Sequence, residues 1–300
     1  VVNHWLEGLK NSPELHDKIE FDIAITCYSF DIDDRMDRLI GDKLNTAEKK
    51  EFKQAHLEQT RAIVIGGELG SLQGALDKIS ILEACQEKQV NIEKESNIAL
   101  LFSMISNCVQ YGTIPFSILA RHGFIAKSIL LSLQYLGIIT KNEVEKFQRS
   151  IRTVASDIVN DMHRLQVGEM TSFEFMKRYG HLRPGTYDIM SHRYDQMDNI
   201  FYRDAQPQKK VKIKFFEFSK QQKQQIDKLL LSNDFGDFKA DDLIRYMQEA
   251  IVAREYSKFI FSRSVSDILE LIANFAQKNS LSRDDVSHIP IDSILNIAKN

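Results

Sequence analysis

The sequence predicts an all-α, multi-helix bundle, and three observations predict it. Only 13 Gly and 5 Pro among 300 residues leave few breaks, so helices should be long. Apolar residues recur at spacings of three, four and seven through much of the chain. A Ser or Thr followed three residues later by Glu or Gln recurs as a helix-start signal, because each side chain can satisfy the other's free amide.

Composition bounds the rest. Hydrophobic residues make up 43% and charged residues 27%, the range of a globular chain with a real core. The net charge of −3 argues against nucleic acid or an anionic membrane surface as partner. Lys209, Lys210, Lys212 and Lys214 are the one basic run and read as a solvated face. Three cysteines without metal or redox spacing suggest reduced thiols and a cytoplasmic setting. The chain opens at Val1 without a signal-peptide pattern and reads as an excised domain or a processed chain.

Taken in order, His16-Asp17 is a weak metal-phosphohydrolase dipeptide that reads as surface. Asp33-Asp34-Arg35-Met36-Asp37 has the DDxxD spacing, which on a helix puts carboxylates on one face where they could hold Mg²⁺ and a diphosphate. All-α terpenoid synthases use that motif, and this is the stand-alone alternative. The competing reading is a solvated face with Arg35 and Arg38 paired to the aspartates. Asp241-Asp242 with Glu249 resembles the second metal motif of those enzymes, but Arg245 stands where a Ser or Thr ligand is needed. Gly66-Gly67-Glu68-Leu69-Gly70 has neither a preceding strand nor a following Lys-Ser/Thr, so a helix–helix turn is expected.

The run Ile114–Ile139 is the most apolar, interrupted by Arg121, His122 and Lys127. A buried helical hairpin is expected rather than a membrane span. Pro115 suits a first helical turn. Arg121 and His122 either face solvent, pair with an acid such as Asp157 or Asp161, or line an anion site. Val144, Phe147, Ile151, Val154, Ile158 and Leu165 draw one stripe on a helix from about Asn142 to His163. Leu243, Ile244, Met247 and Ile251 draw another, as do Ile268, Leu271, Ile272 and Phe275. Thr140–Glu143, Thr171–Glu174 and Ser219–Gln222 are capping boxes, and Ser282 a plainer N-cap. Residues 211–218, VKIKFFEF, alternate and could form one short strand or an extended segment. Gln206-Pro207-Gln208 is the candidate linker between a main helical domain, 1–207, and a C-terminal helical subdomain, 208–300, that could be continuous with it.

YGHLRPGTYDI, 179–189, breaks the helical pattern. Gly180 and Gly185 can take positive φ, and Pro184 biases Arg183 out of the helix. The expected result is a rigid turn presenting His181, Arg183, Tyr187 and Asp188, with His192 and Arg193 next. Arg grips phosphate or carboxylate bidentately and His switches charge near neutral pH. The bland alternative is a loop that ties helices together, with Arg183 paired to Asp188.

RYGHLRPGTYDI resembles the RYGHRGPGE-type motif of phosphoenolpyruvate-utilising phosphotransferases, a group that includes phosphoenolpyruvate synthase-like proteins and rifampicin phosphotransferase. GTIPFSILARHGFIAKSILLSL, SIRTVASDIVNDM and AREYSKFIFSRSVSDILELI also resemble segments of that group, over about Asn3 to Leu295. The resemblance implies the helical middle region alone. ATP and Mg²⁺ would be used by a nucleotide-binding domain, and a phosphohistidine domain would carry the phosphoryl group to a small-molecule acceptor. Neither the nucleotide segment nor the phosphohistidine motif is present here, so the chain is expected to be non-catalytic alone. Arg121, His122, His181, Arg183 and Arg193 would supply a cationic acceptor lining, with Tyr187 and Asp188 orienting it. Against the commoner motif the Arg is shifted and Thr186-Tyr187-Asp188 replaces the immediate Glu. A third reading is a purely structural helical spacer.

Overall fold

The structure, a computed structural model, describes residues 1–15, 18–66, 71–89, 98–197 and 215–299. Thirteen α-helices and no strand occur among the described residues, as the break statistics and periodicity require. They are α1 Val2–Asn11, α2 Ile32–Leu39, α3 Thr46–Ile65, α4 Ser71–Gln89, α5 Leu100–Cys108, α6 Ile114–Tyr135 and α7 Lys141–Ser150. There follow α8 Val154–Gln166, α9 Ser172–Tyr179, α10 Lys220–Ser232, α11 Ala240–Lys278, α12 Arg283–Ser287 and α13 Ile291–Lys299.

The capping signals become helix starts. Thr140, Thr171 and Ser219 each accept from the amide three residues on, and each has its own amide taken by the Glu or Gln at that position. Ser282 does the same with Asp285, so it too is a full capping box. Each such cap contributes about 1 kcal/mol.

One expectation is corrected, and two others take a definite form. The stripe from 142 to 163 falls on two helices, because Ile151 is extended and the Thr153 amide turns to the Ser156 hydroxyl at 3.0 Å, starting α8 afresh. Pro115 stands in the first turn of α6, as expected, though α6 is not a fresh start. Helical structure is continuous from α5 into α6 through a wide π-type turn at Val109–Thr113, where the proline removes a backbone donor. Phe215–Phe218, the described part of the expected strand or extended segment, forms neither helix nor strand, with Phe218 buried against Phe147 at a ring-centroid distance of 5.5 Å. Residues 211–214, the basic run, His16-Asp17 and Gly67–Gly70 lie outside the described residues.

The apolar run 114–139 forms α6 and the turn after it, with Gly137 at φ +71°. Leu100–Tyr135 is the one described stretch long and apolar enough to cross a membrane, and 56% of its most apolar window is buried within the protein.

Backbone contacts group the chain into two compact units, and the grouping differs from a single cut near 207. The first takes Val1–Gln73, Ala120–Ile151 and Ile213–Ala253; the second takes Gly74–Leu119, Arg152–Lys212 and Arg254–Asn300. The reason is that α11, at 39 residues, is one continuous helix whose two apolar stripes serve different cores. Leu243 and Met247 are buried in the first core with Ile25, Ile32, Leu133 and Phe147. Ile268 and Ile272 are buried in the second unit with Leu101 and Met104. Each fully buried side chain of this kind contributes roughly 1.5–3 kcal/mol.

Candidate functional site

The turn after α9 is held from below by Asp161. Its carboxylate accepts from Tyr179 at 2.9 Å and from Arg178 at 2.8 Å on one oxygen, and from Arg164 at 2.9 Å on the other. Tyr179 is fully buried beside Phe175 and Phe259, so α9 ends at a fixed point. Gly180 then continues in the right-handed region at φ −58°, not the positive φ that its sequence context suggested. Its requirement is space. A Cβ there would stand 2.4 Å from the Met176 carbonyl oxygen and 3.0 Å from the Asp195 side chain. Gly185 is likewise a close-approach residue: a Cβ there would stand 3.0 Å from the Asp188 side chain and 3.2 Å from that of Ser191.

Arg183 is the centre of the turn. Its side chain is 1% exposed, and its guanidinium is surrounded by acceptors. Nε donates to Ser266 Oγ at 3.2 Å. One terminal nitrogen donates to the Asp188 and Ser191 carbonyls at 3.2 and 2.8 Å. The other donates to the Glu270 carboxylate at 3.0 Å and to Ser266. Arg183 therefore pairs with Glu270 and takes only the backbone of Asp188, whose own carboxylate caps the Met190 amide at 2.8 Å. Glu270 also accepts from Arg283 at 2.8 Å and from Gln196 at 2.6 Å. Burial works to raise its pKa, but Arg283, Gln196 and Arg183 outweigh it and hold the carboxyl below its usual value.

Arg193 repeats the pattern. It pairs with Asp267 at 2.7 Å and Asp195 at 3.0 Å, and its side chain is 16% exposed. Burial pushes Asp267 up, with Arg193 opposing. His181 is 3% exposed, its ring edge-on to Phe259 at 4.9 Å. Neither ring nitrogen meets a partner at hydrogen-bond distance and angle. Burial, then the nearby Arg263 and Arg193, drive its pKa down to about 2, so the imidazole is neutral and adds no cation. Its backbone carbonyl instead receives Ser266 Oγ at 2.6 Å. Tyr187 is exposed.

Arg121 and His122 belong to the first unit, on α6. Arg121 donates to the Thr26 carbonyl, and neither Asp157 nor Asp161 is its partner, because those acids are held by Arg152, Arg164 and Arg178. His122 lies between Ser71 Oγ at 2.9 Å and the Tyr246 hydroxyl at 3.0 Å. Burial lowers its pKa to about 4, so it too is neutral at pH 7. The structure thus gathers His181, Arg183, Asp188 and Arg193 in one network of the second unit. Two of the five expected cations are uncharged.

The acidic motif pairs with lysines. Asp33 meets Lys53 at 2.6 Å and Asp37 meets Lys49 at 2.7 Å, while Asp241 meets Lys223 and Asp242 meets Arg245. Among the described residues no group of three or more His, Cys, Asp or Glu is placed to hold a metal. Ser266, Asp267, Glu270 and Arg283 were missed in the sequence. The available signal was a Ser and a Glu lying beside the apolar stripe Ile268–Ile272 of a helix, a place where polar side chains need partners. No family model, no curated protein and no solved structure matches the chain.

Proposed function

We propose that the chain is the helical, inter-domain region of a phosphoenolpyruvate synthase-like phosphotransferase, and that its YGHLRPGTYD turn braces this region. In that reading ATP and Mg²⁺ act in a nucleotide-binding domain, and a phosphohistidine domain delivers the phosphoryl group to a small-molecule acceptor in the cytoplasm. The family assignment is carried by the sequence resemblance alone. The bracing role rests on Arg183, whose three nitrogens all donate to protein oxygens and whose side chain is 1% exposed. A guanidinium so occupied has no donor to turn toward a substrate phosphate.

The test is Arg183→Ala in the full-length protein. The expected result is a lower melting temperature with phosphoryl transfer per folded molecule unchanged. Loss of transfer at an unaltered melting temperature would return Arg183 to the acceptor site.

A further inference from the structure

The DDRMDR segment of α2 carries a second pair of cations that the lysine-bound aspartates leave behind. Arg35 and Arg38 are three residues apart and share a helix face. With Asp33 and Asp37 held by Lys53 and Lys49, neither arginine forms an ion pair among the described residues. Arg38 is exposed. Arg35 is 5% exposed, and its contacts are neutral oxygens: Ser29 Oγ at 3.3 Å, the Glu20 carbonyl at 3.0 Å and the Ala24 carbonyl at 3.5 Å. Those acceptors satisfy hydrogen bonds without a direct carboxylate contact; Asp31 reaches Arg35 only through the shared Ser29 hydroxyl.

Arg35 and Arg38 both line one cavity of about 220 Å³ in the first unit. Ser128, 4% exposed, lines it too; its buried hydroxyl meets no nitrogen or oxygen partner and lies beside the Cys27 thiol. Phe21, Leu131 and Tyr135 supply apolar wall. Lys127 rests its ammonium over the Phe21 ring at 4.3 Å. Two carboxylates also line it. Asp31 is engaged by the Ser29 hydroxyl at 2.6 Å, and Asp22 is exposed. A cavity with two arginines in no ion pair, a buried hydroxyl whose one polar neighbour is a thiol, and an aromatic wall has the composition of a small-ligand site, a few polar groups on an apolar frame. Its size is below the ~300–1,000 Å³ of drug-sized pockets.

We propose that this cavity binds a small organic anion, a carboxylate or a phosphate ester. Its charged group meets Arg35, Arg38 and the Ser128 hydroxyl, and its apolar body lies against Phe21, Leu131 and Tyr135. Asp22 and Asp31 favour a ligand that also carries a hydroxyl or ammonium donor. Guanidinium groups suit either anion because both accept two parallel N–H bonds. The site does not depend on the phosphotransferase reading.

Calorimetric titration of the full chain with phenyl phosphate and, separately, benzoate tests it, with potassium chloride holding ionic strength constant. Saturable one-site binding of either compound is expected, weakened tenfold or more by Arg38→Ala and by Ser128→Ala. Arg38 is exposed and has no ion pair, so that variant keeps its fold and its circular dichroism. Binding of phenyl phosphate alone assigns a phosphate ester, and binding of benzoate alone assigns a carboxylate. Absence of saturable heat with both, or an affinity unchanged in both variants, overturns the proposal. Neither outcome bears on Arg183.

Discussion

Arg183 and Arg35 are both more than nine-tenths buried, and their surroundings differ in the charge of what they touch. Arg183 meets a carboxylate that two further donors also hold, and every nitrogen has an acceptor within the protein. Arg35 meets only neutral oxygens and borders a cavity. The first arrangement is closed: charge and hydrogen bonds are both answered, so the cation can serve only to hold the turn to α11. The second has no direct carboxylate partner and borders open space, which leaves the guanidinium able to recognise an anion. Burial alone separates neither case.

The largest effect should come from breaking the closed network. Arg183→Ala strands the Ser266, Asp188 and Ser191 acceptors and removes one of the two cations on Glu270, at a cost of about 3–5 kcal/mol, the range for breaking a buried pair. Arg35→Met strands neutral oxygens only and should cost about 1–3 kcal/mol. Denaturant unfolding of the two variants side by side measures the difference. Equal costs would mean that Glu270 contributes little to Arg183.

Next in size is a pH effect carried by the two buried histidines. His181 and His122 have folded pKa values lowered to about 2 and about 4 from the ordinary 6.5. Below pH 6.5 the unfolded chain binds protons that the folded chain does not, so stability falls as pH drops. Each histidine contributes a slope of about 1.4 kcal/mol per pH unit, over 6.5 to 4 for His122 and further down for His181. His181→Leu should flatten the dependence between pH 6 and 4 (about 1.4 kcal/mol per unit) while keeping the packing on Phe259. An unchanged slope in chemical unfolding would show that His181 protonates in the folded state.

Gly180→Ala should cost about 1–3 kcal/mol through overpacking against the Met176 carbonyl. If instead the glycine were needed for positive φ, an Asn there would be tolerated better than Ala, and thermal melts of the two variants distinguish these. The smallest effect belongs to the acidic motif: Asp33→Asn removes one exposed pair with Lys53 and should change stability by only about 0–1 kcal/mol. A loss well above that would give the DDRMD stripe a role that its exposed lysine pairs do not.

Much of the helical plan was legible. Thr140, Thr171, Ser219 and Ser282 are local signals, since a cap needs only a side chain and an amide three residues away. The break at Thr153 was less visible, because an apolar stripe runs through it unchanged and only the Thr153–Ser156 contact restarts the helix. The two stripes of α11 were read correctly as stripes. Their service to different cores could not be read, because periodicity reports a buried face and not what covers it.

The sequence by itself determined the all-α class, most helix starts and the place where the pattern breaks into a Gly-Pro turn. Each of these follows from contacts between residues a few positions apart. Only the tertiary structure decided that Arg183 pairs with Glu270, that His181 and His122 are neutral, and that Arg35 and Arg38 form no ion pair among the described residues. A charge is answered by whatever folds against it, and Glu270 lies 87 residues from Arg183 in the chain.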